Sequence, residues 1–169
     1  MAMKIFSQKQ NKPSSRAQAM VEFAIALPVL LVLLVGVMEV GRMLLMYALV
    51  NNASRDAARY ASAVGLDDSG LYSKYTYCDG IKATATSSAY FIGNSITVTV
   101  AYDTGPSGTT LSGDCAHGSV ASTTATTGDR VTVTVAATYK PIVKLIPISQ
   151  RTFTSISSRT ILGILNLSN

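Results

Sequence analysis

The sequence predicts an α+β protein in which a long, membrane-spanning N-terminal helix continues into a small exported domain. From Phe23 to Met38 the chain has no charged and no polar side chain, whereas later segments alternate β-branched and polar residues, as strands do. At about 1.5 Å per residue the run covers roughly 24 Å. The small apolar residues 17–21 extend it towards the ~30 Å of a bilayer core.

The helical pattern continues beyond Met38 without a break signal. Glu39 and Arg42 are placed to pair on one face and to mark the exit from the bilayer. Gly65, followed by Asp-Asp-Ser-Gly, is a stop signal. We therefore predict a basic cytoplasmic leader over 1–17, a helix over 18–64 and an exported domain over 65–169. The polar side of the second half of this helix consists of Asn51, Asn52, Arg55, Asp56 and Arg59.

Charge before the apolar run predicts the orientation. Lys4, Lys9, Lys12 and Arg16 precede it, and no acidic residue occurs before Glu22. This is the positive-inside pattern of a signal-anchor in the cytoplasmic membrane, with the N-terminus inside and the C-terminal domain outside. The formal net charge is +5, but no basic cluster follows residue 64, so nucleic acid is not an expected partner.

The sequence of the exported part, residues 65–169, predicts a short helix over 80–89 and about three antiparallel strands. Segments 95–102 and 130–139 alternate clearly, with Ile96, Val98 and Val100 on one face of the first. Segment 152–161 alternates more weakly. The Gly-, Ser- and Thr-rich stretch 103–128 is expected to be a loop, and one face of the sheet is expected to lie on the helix.

Cys78 and Cys115 both fall on the exported side, where a disulfide is the expected state. A zinc site is the alternative, but His117 is the only histidine, so carboxylates would have to complete it. No catalytic or nucleotide-binding motif is present, and most aspartates lie in turn-like contexts. The sequence therefore predicts neither an enzyme nor a cofactor.

Several short motifs resemble those of TadE-like proteins of the tight-adherence (Flp) pilus machinery. They are the run from Arg16 to Phe23 (RAQAMVEF) followed by Leu27-Pro28, then Glu39-Val-Gly-Arg42, and then Asn52-Ala-Ser-Arg55-Asp-Ala-Ala-Arg59. Beyond residue 64 only the order helix, strands, Tyr-x-Pro is similar. The resemblance implies a pseudopilin-like subunit with partners in a prepilin peptidase and a Tad-type secretion machinery.

The resemblance also implies roles for residues in the first turns of the helix. Leader cleavage would fall between Ala17 and Gln18, although the family usually carries Gly at the position of Ala17. Glu22 would then be the fifth mature residue, the glutamate typical of pilin-like helices. A buried Glu22 needs a cation, for which the new α-amine of a neighbouring Gln18 is the candidate. Alternatively, Glu22 simply lies at the boundary of the lipid headgroups and has no role in assembly.

Pro28 removes a backbone donor to the carbonyl of Ala24, which either bends the helix or is simply tolerated in a membrane. The implied mechanism is assembly through helices like this one, with Phe23 opening the apolar run. Three functions stay open. The chain is a minor pilin, the main filament subunit, or a membrane-anchored exported binding module whose contact surface is the loop 103–128.

Overall fold

The computed structural model describes residues 15–90, 92, 96–115, 118–143 and 149–163. Lys4, Lys9, Lys12 and His117 lie outside the described residues. In chain order the elements are α1 (Ser15–Ser62), α2 (Cys78–Ser88), β1 (Ile96–Asp103), β2 (Thr110–Leu111), β3 (Arg130–Tyr139) and β4 (Arg151–Thr160). This is the predicted α+β architecture.

Helix α1 has 48 residues, which corresponds to about 72 Å at 1.5 Å per residue. It runs through Pro28 as one helix. After Ser62 the chain turns at Gly65, whose φ of 109° is a conformation that other L-residues rarely adopt. The predicted helix and its stop signal are therefore present, with each end displaced by two or three residues.

The four strands form one antiparallel sheet in the order β2-β1-β3-β4. The prediction of about three strands missed β2, which lies in the stretch 103–128 that was expected to be a loop. This strand pairs only with Tyr102 and Asp103 of β1. Two residues are too few for alternation to be visible in a sequence, so the pattern gave no signal for it.

The core lies between the sheet and the second half of α1. Strand β3 buries every second side chain, from Val131 to Tyr139. Opposite it, α1 presents mostly small residues, so the helix axis can approach the sheet closely. These fully buried residues of α1 are Val50, Ala53, Ser54, Ala57, Ala58 and Ala61.

Helix α2 packs beside α1 and is fixed at its first residue. A Cβ added at Gly80 would overlap the Tyr60 side chain, so glycine permits the close approach of the two helices. Cys78 and Cys115 lie at disulfide distance, as predicted, with their Cα atoms 5.4 Å apart. The bond attaches α2 to the stretch that contains β2.

Candidate membrane and assembly helix

Helix α1 divides into two halves with different surroundings. The apolar half, residues 16–38, projects from the fold: residues 16–34 are all exposed, and none of the most apolar window of 18 residues is buried. The domain half, residues 39–62, packs on the sheet and on α2. Phe23 at the head of the apolar run is 65% exposed. A soluble monomer rarely exposes an apolar surface of this extent.

Large apolar side chains cover every side of the apolar half. Val29, Leu30, Leu31 and Val32 are 68%, 56%, 51% and 44% exposed, and these four consecutive residues face all directions around the axis because successive residues are about 100° apart. A helix that is hydrophobic all round suits lipid rather than the edge of a soluble core. This helix fits a single-pass membrane anchor.

Glu22 lies about two turns inside helix α1 and interrupts its apolar character. The Gln18 side-chain amide donates a hydrogen bond to its carboxylate at 3.2 Å, and both residues are exposed. The Gln18 amide provides the Glu22 carboxylate with a hydrogen bond, but it does not neutralise the negative charge. Ala17 and Gln18, which flank the predicted cleavage position, both lie in the first turn of α1.

Glu39 lies where the apolar half meets the domain, and it is the first buried residue of α1. The residue is 3% exposed, and its carboxylate accepts hydrogen bonds from several donors. Arg42 Nη1 donates to both carboxylate oxygens at 3.1 Å, and the backbone N–H of Ile142 donates to Oε1 at 3.0 Å. The Tyr139 hydroxyl also donates to Oε1. The buried charge is therefore paired and saturated with donors, as such a charge must be.

Tyr139 is the residue through which the sheet reaches this carboxylate. Burial, together with the hydrogen bond to Glu39, raises the pKa of the Tyr139 hydroxyl to about 12. The hydroxyl thus remains a neutral donor throughout the physiological pH range. The Arg42 guanidinium also lies 5.7 Å from the centroid of the Tyr139 ring. This junction cluster of Glu39, Arg42, Tyr139 and Ile142 fastens α1 to the end of β3.

The sequence analysis paired Glu39 with Arg42, and the structure shows that pair. It did not join Glu39 to Tyr139, which lies 100 residues later in the chain. The one available signal was the Tyr-x-Pro similarity at the end of β3, which was noted without a role. Glu39, which the sequence analysis predicted to mark the exit from the bilayer, is thus a buried residue of the domain.

Asn52, Arg55 and Arg59 lie farther along the domain half of α1, and all three are exposed. The structure does not bring them to the junction cluster. Within the described part of the chain, neither arginine forms an ion pair. Their spacing places the two guanidinium groups one helical turn apart.

These features define a protein with one N-terminal apolar helix and an α+β domain folded around the second half of that helix. Residues 17–59 match the family model described as TadE-like protein, so the resemblance is confirmed over this segment. The match covers the apolar half from Ala17 onwards and nearly all of the domain half. It supports a protein associated with the Tad pilus. Among curated proteins, and among solved structures, no match was found.

Proposed function

We propose that the chain is a minor pilin, or pseudopilin, of a Tad-type pilus, held in the cytoplasmic membrane by the apolar half of α1. The observation that carries this proposal is the exposure of residues 16–34 of that half, nearly all of which lie within the segment that matches TadE-like proteins. An apolar helix that the chain's own domain leaves uncovered needs lipid before assembly and other helices afterwards.

In this proposal the N-terminus is cytoplasmic and the domain is exported. The basic residues before the apolar run favour that orientation. The Cys78–Cys115 pair at disulfide distance fits an oxidising compartment outside the cytoplasm. Prepilin peptidase would act on the cytoplasmic face, and the Tad-type secretion machinery would move the subunit out of the membrane.

Leader cleavage between Ala17 and Gln18 would need only a local opening of α1. Both residues belong to its first turn, where the backbone N–H groups have no partners within the helix and where helices fray. The peptidase would thus obtain an extended substrate without disturbing the apolar run that begins at Phe23.

Glu22 would act in assembly through its charge. Inside a helix bundle the neutral amide of Gln18 is an insufficient partner, because a buried carboxylate needs a cation. After cleavage, residue 18 of a neighbouring subunit would carry a free α-amine. Pairing of that amine with Glu22 would satisfy both groups and set the axial position of one helix against the next.

The test replaces Glu22 in the full chain in its native membrane. We expect Glu22→Ala to leave the membrane level unchanged while pilus yield falls at least about tenfold, since loss of one partner of a buried pair costs about 3–5 kcal/mol. Leu30→Ala is the matched control, because it shortens another exposed side chain in the same half. Equal yields from all three proteins would leave Glu22 as a headgroup-boundary residue and would contradict the assembly role.

Two measurements separate this proposal from the alternatives. The main filament subunit would dominate the protein in sheared pili, whereas a minor pilin would be scarce there. An exported binding module would keep its leader and would not depend on a secretion ATPase. Intact-mass measurement of the chain from its native membrane tests the leader, and a mature chain that begins at Gln18 supports the pilin-like route.

A further inference from the structure

The surface formed by α1 and β4 carries three exposed arginines, Arg55, Arg59 and Arg159, which we call the arginine patch. Arg159 lies directly opposite Val131 in the β3–β4 register. Paired residues of an antiparallel sheet point to the same face, and Val131 is buried on the face that carries α1. Arg159 therefore lies on the α1 side of the sheet.

Arg59 and Arg159 also approach the same point along α1. The backbone N–H of Leu162 donates to the carbonyl of Ser62 at 3.2 Å. Arg59 lies three residues before Ser62, and Arg159 lies three residues before Leu162. Among the described residues, none of the three arginines has an acidic partner. By contrast, Arg42 and Arg130 are paired with Glu39 and Asp103. The described part of the fold thus leaves the charges of these three arginines uncompensated.

Membrane lipid does not explain this patch. Arg55 lies sixteen residues beyond Glu39, which is about 24 Å along the helix axis. The headgroup layer extends only about 5–8 Å beyond the hydrocarbon on each side. The three arginines consequently lie well outside the reach of lipid phosphates, and a protein surface is the partner that their position favours.

The same chain presents a complementary surface just beyond α1, which we call the distal patch: Leu66, Asp68, Leu71, Tyr72 and Asp79. All five are exposed, and neither aspartate forms an ion pair in the described part of the chain. Lys74 of this region already lies 5.8 Å from the centroid of the Tyr60 ring. Exposed apolar, tyrosine and acidic side chains together are suited to receive arginines.

The loop that carries the distal patch is held in a defined conformation. The backbone N–H groups of Leu71 and Tyr72 donate to Asp67 Oδ1 at 3.0 and 2.9 Å. The Tyr72 ring stacks on that of Tyr77, with an angle of 9° between the ring planes. A surface fixed in this way loses little conformational entropy when it binds.

We propose that the arginine patch of one copy of this chain binds the distal patch of a second copy. Because the two patches are different surfaces, the contact is head-to-tail and can repeat into an open chain of subunits. Arg55 precedes the end of α1 by seven residues, about 10 Å along the axis. Successive copies are therefore staggered along their helices. This contact rests on the proposed function, since copies anchored in one membrane lie at the same depth and become staggered only on assembly. A minor pilin, which is scarce in pili, would form a short run of such copies.

The experiment places the photo-crosslinking residue p-benzoylphenylalanine at Asn52, beside the arginine patch, in the full chain in cells that assemble pili. The control position is Ile156, which is exposed on the opposite face of β4. We expect illumination to give a product of twice the mass of the uncrosslinked chain from position 52 only, with the crosslink mapped by mass spectrometry to residues 65–79. No doubled product, a crosslink elsewhere in the chain, or one to a different protein would overturn the proposal.

Charge reversal provides the second arm. We expect Arg55→Glu and Arg159→Glu each to lower the crosslink yield at least about fivefold, because like charges across an interface cost several kcal/mol. Arg151→Glu is the matched control, since it lies on the same face of β4 at the membrane-proximal end, opposite Tyr139. Equal losses in all three variants would contradict the proposal. Membrane level and non-reducing gel mobility report the folding of each variant.

Pilus yield after deletion of the chain separates the two proposals. If pili require the chain and no contact between the two patches is found, this inference fails while the proposed function stands. If pili form normally without the chain, the proposed function itself fails.

Discussion

The two halves of α1 share one helix and many apolar residues, but they differ in the size of the side chains they present. The domain half buries alanines against the sheet, among them Ala53, Ala57 and Ala61. The apolar half exposes leucines, valines and Phe23. Small residues allow the helix axis to approach a rigid sheet, whereas large ones fill a fluid hydrocarbon layer. Side-chain size thus distinguishes a surface that packs on protein from one that meets lipid.

The carboxylates of the two halves differ in the same way. Glu39 accepts hydrogen bonds from Arg42, Tyr139 and the backbone of Ile142, and the chain itself compensates its charge. Glu22 has the neutral amide of Gln18 as its described side-chain partner. Because its own chain compensates the charge of Glu39, this carboxylate stabilises the fold of a single subunit. Glu22, which is left with a neutral partner, is a residue to test for a role between subunits.

The largest expected difference between the halves comes from the cysteines. Cys115→Ala opens a bond that spans 37 residues, and we expect the free energy of unfolding to fall by about 4 kcal/mol on the chain-entropy estimate. Denaturant unfolding of the full chain in detergent measures this loss. The membrane level should not change, because the apolar half does not contact the domain core. A lower membrane level of the Cys115→Ala variant would contradict the view that the apolar half acts independently of the domain.

A matched pair of substitutions on one helix sharpens the comparison. Val50 is 1% exposed in the domain half and Val37 is 65% exposed in the apolar half. We expect Val50→Ala to lower the free energy of unfolding by about 2 kcal/mol, as truncation of a buried side chain does. Val37→Ala should leave it unchanged within about 0.5 kcal/mol. The same denaturant titration in detergent measures both variants. Equal losses of free energy of unfolding would contradict the view that only the domain half contributes to the folded core.

The smallest expected loss of stability lies at the junction between the halves. Tyr139→Phe removes the hydroxyl that donates to the Glu39 carboxylate, and we expect the free energy of unfolding to fall by about 1.5 kcal/mol, the lower end of the range for a hydrogen bond to a charged group.

The pH dependence of the junction follows from the pKa of Tyr139, which is raised in the folded state to about 12. The contribution of the hydroxyl is fully present below the unfolded value of about 10. It is lost as the pH rises from there through about 12. The stability difference between wild type and Tyr139→Phe should therefore narrow over that interval. A difference that stays constant there would contradict the assigned hydrogen bond.

The long elements of the fold could be predicted because each leaves a periodic or punctuated signal in the sequence. The apolar run 23–38 and the turn at Gly65 locate α1. Strand β3 was predicted with its observed bounds, Arg130–Tyr139, because valine alternates with threonine over most of it. The two cysteines were paired correctly because only one pairing exists.

Contacts between distant parts of the chain could not be predicted in the same way. The junction of Glu39 with Tyr139 spans 100 residues, and no local pattern joins them. The position of Arg159 on the α1 side depends on its register with Val131, which becomes known only with the sheet. The roles of Ala17, Gln18 and Glu22 rest on resemblance, because they concern other molecules.

Reporter fusions test the central claim, that the apolar half crosses the membrane and the domain half lies outside, most directly. Alkaline phosphatase, which is active only when exported, is inserted into the chain after Val64 or attached after Asn169. Insertion after Arg16, ahead of the apolar run, is the control. We expect high activity from the first two fusions and none from the third. An inactive fusion after Asn169, or an active one after Arg16, would contradict the account.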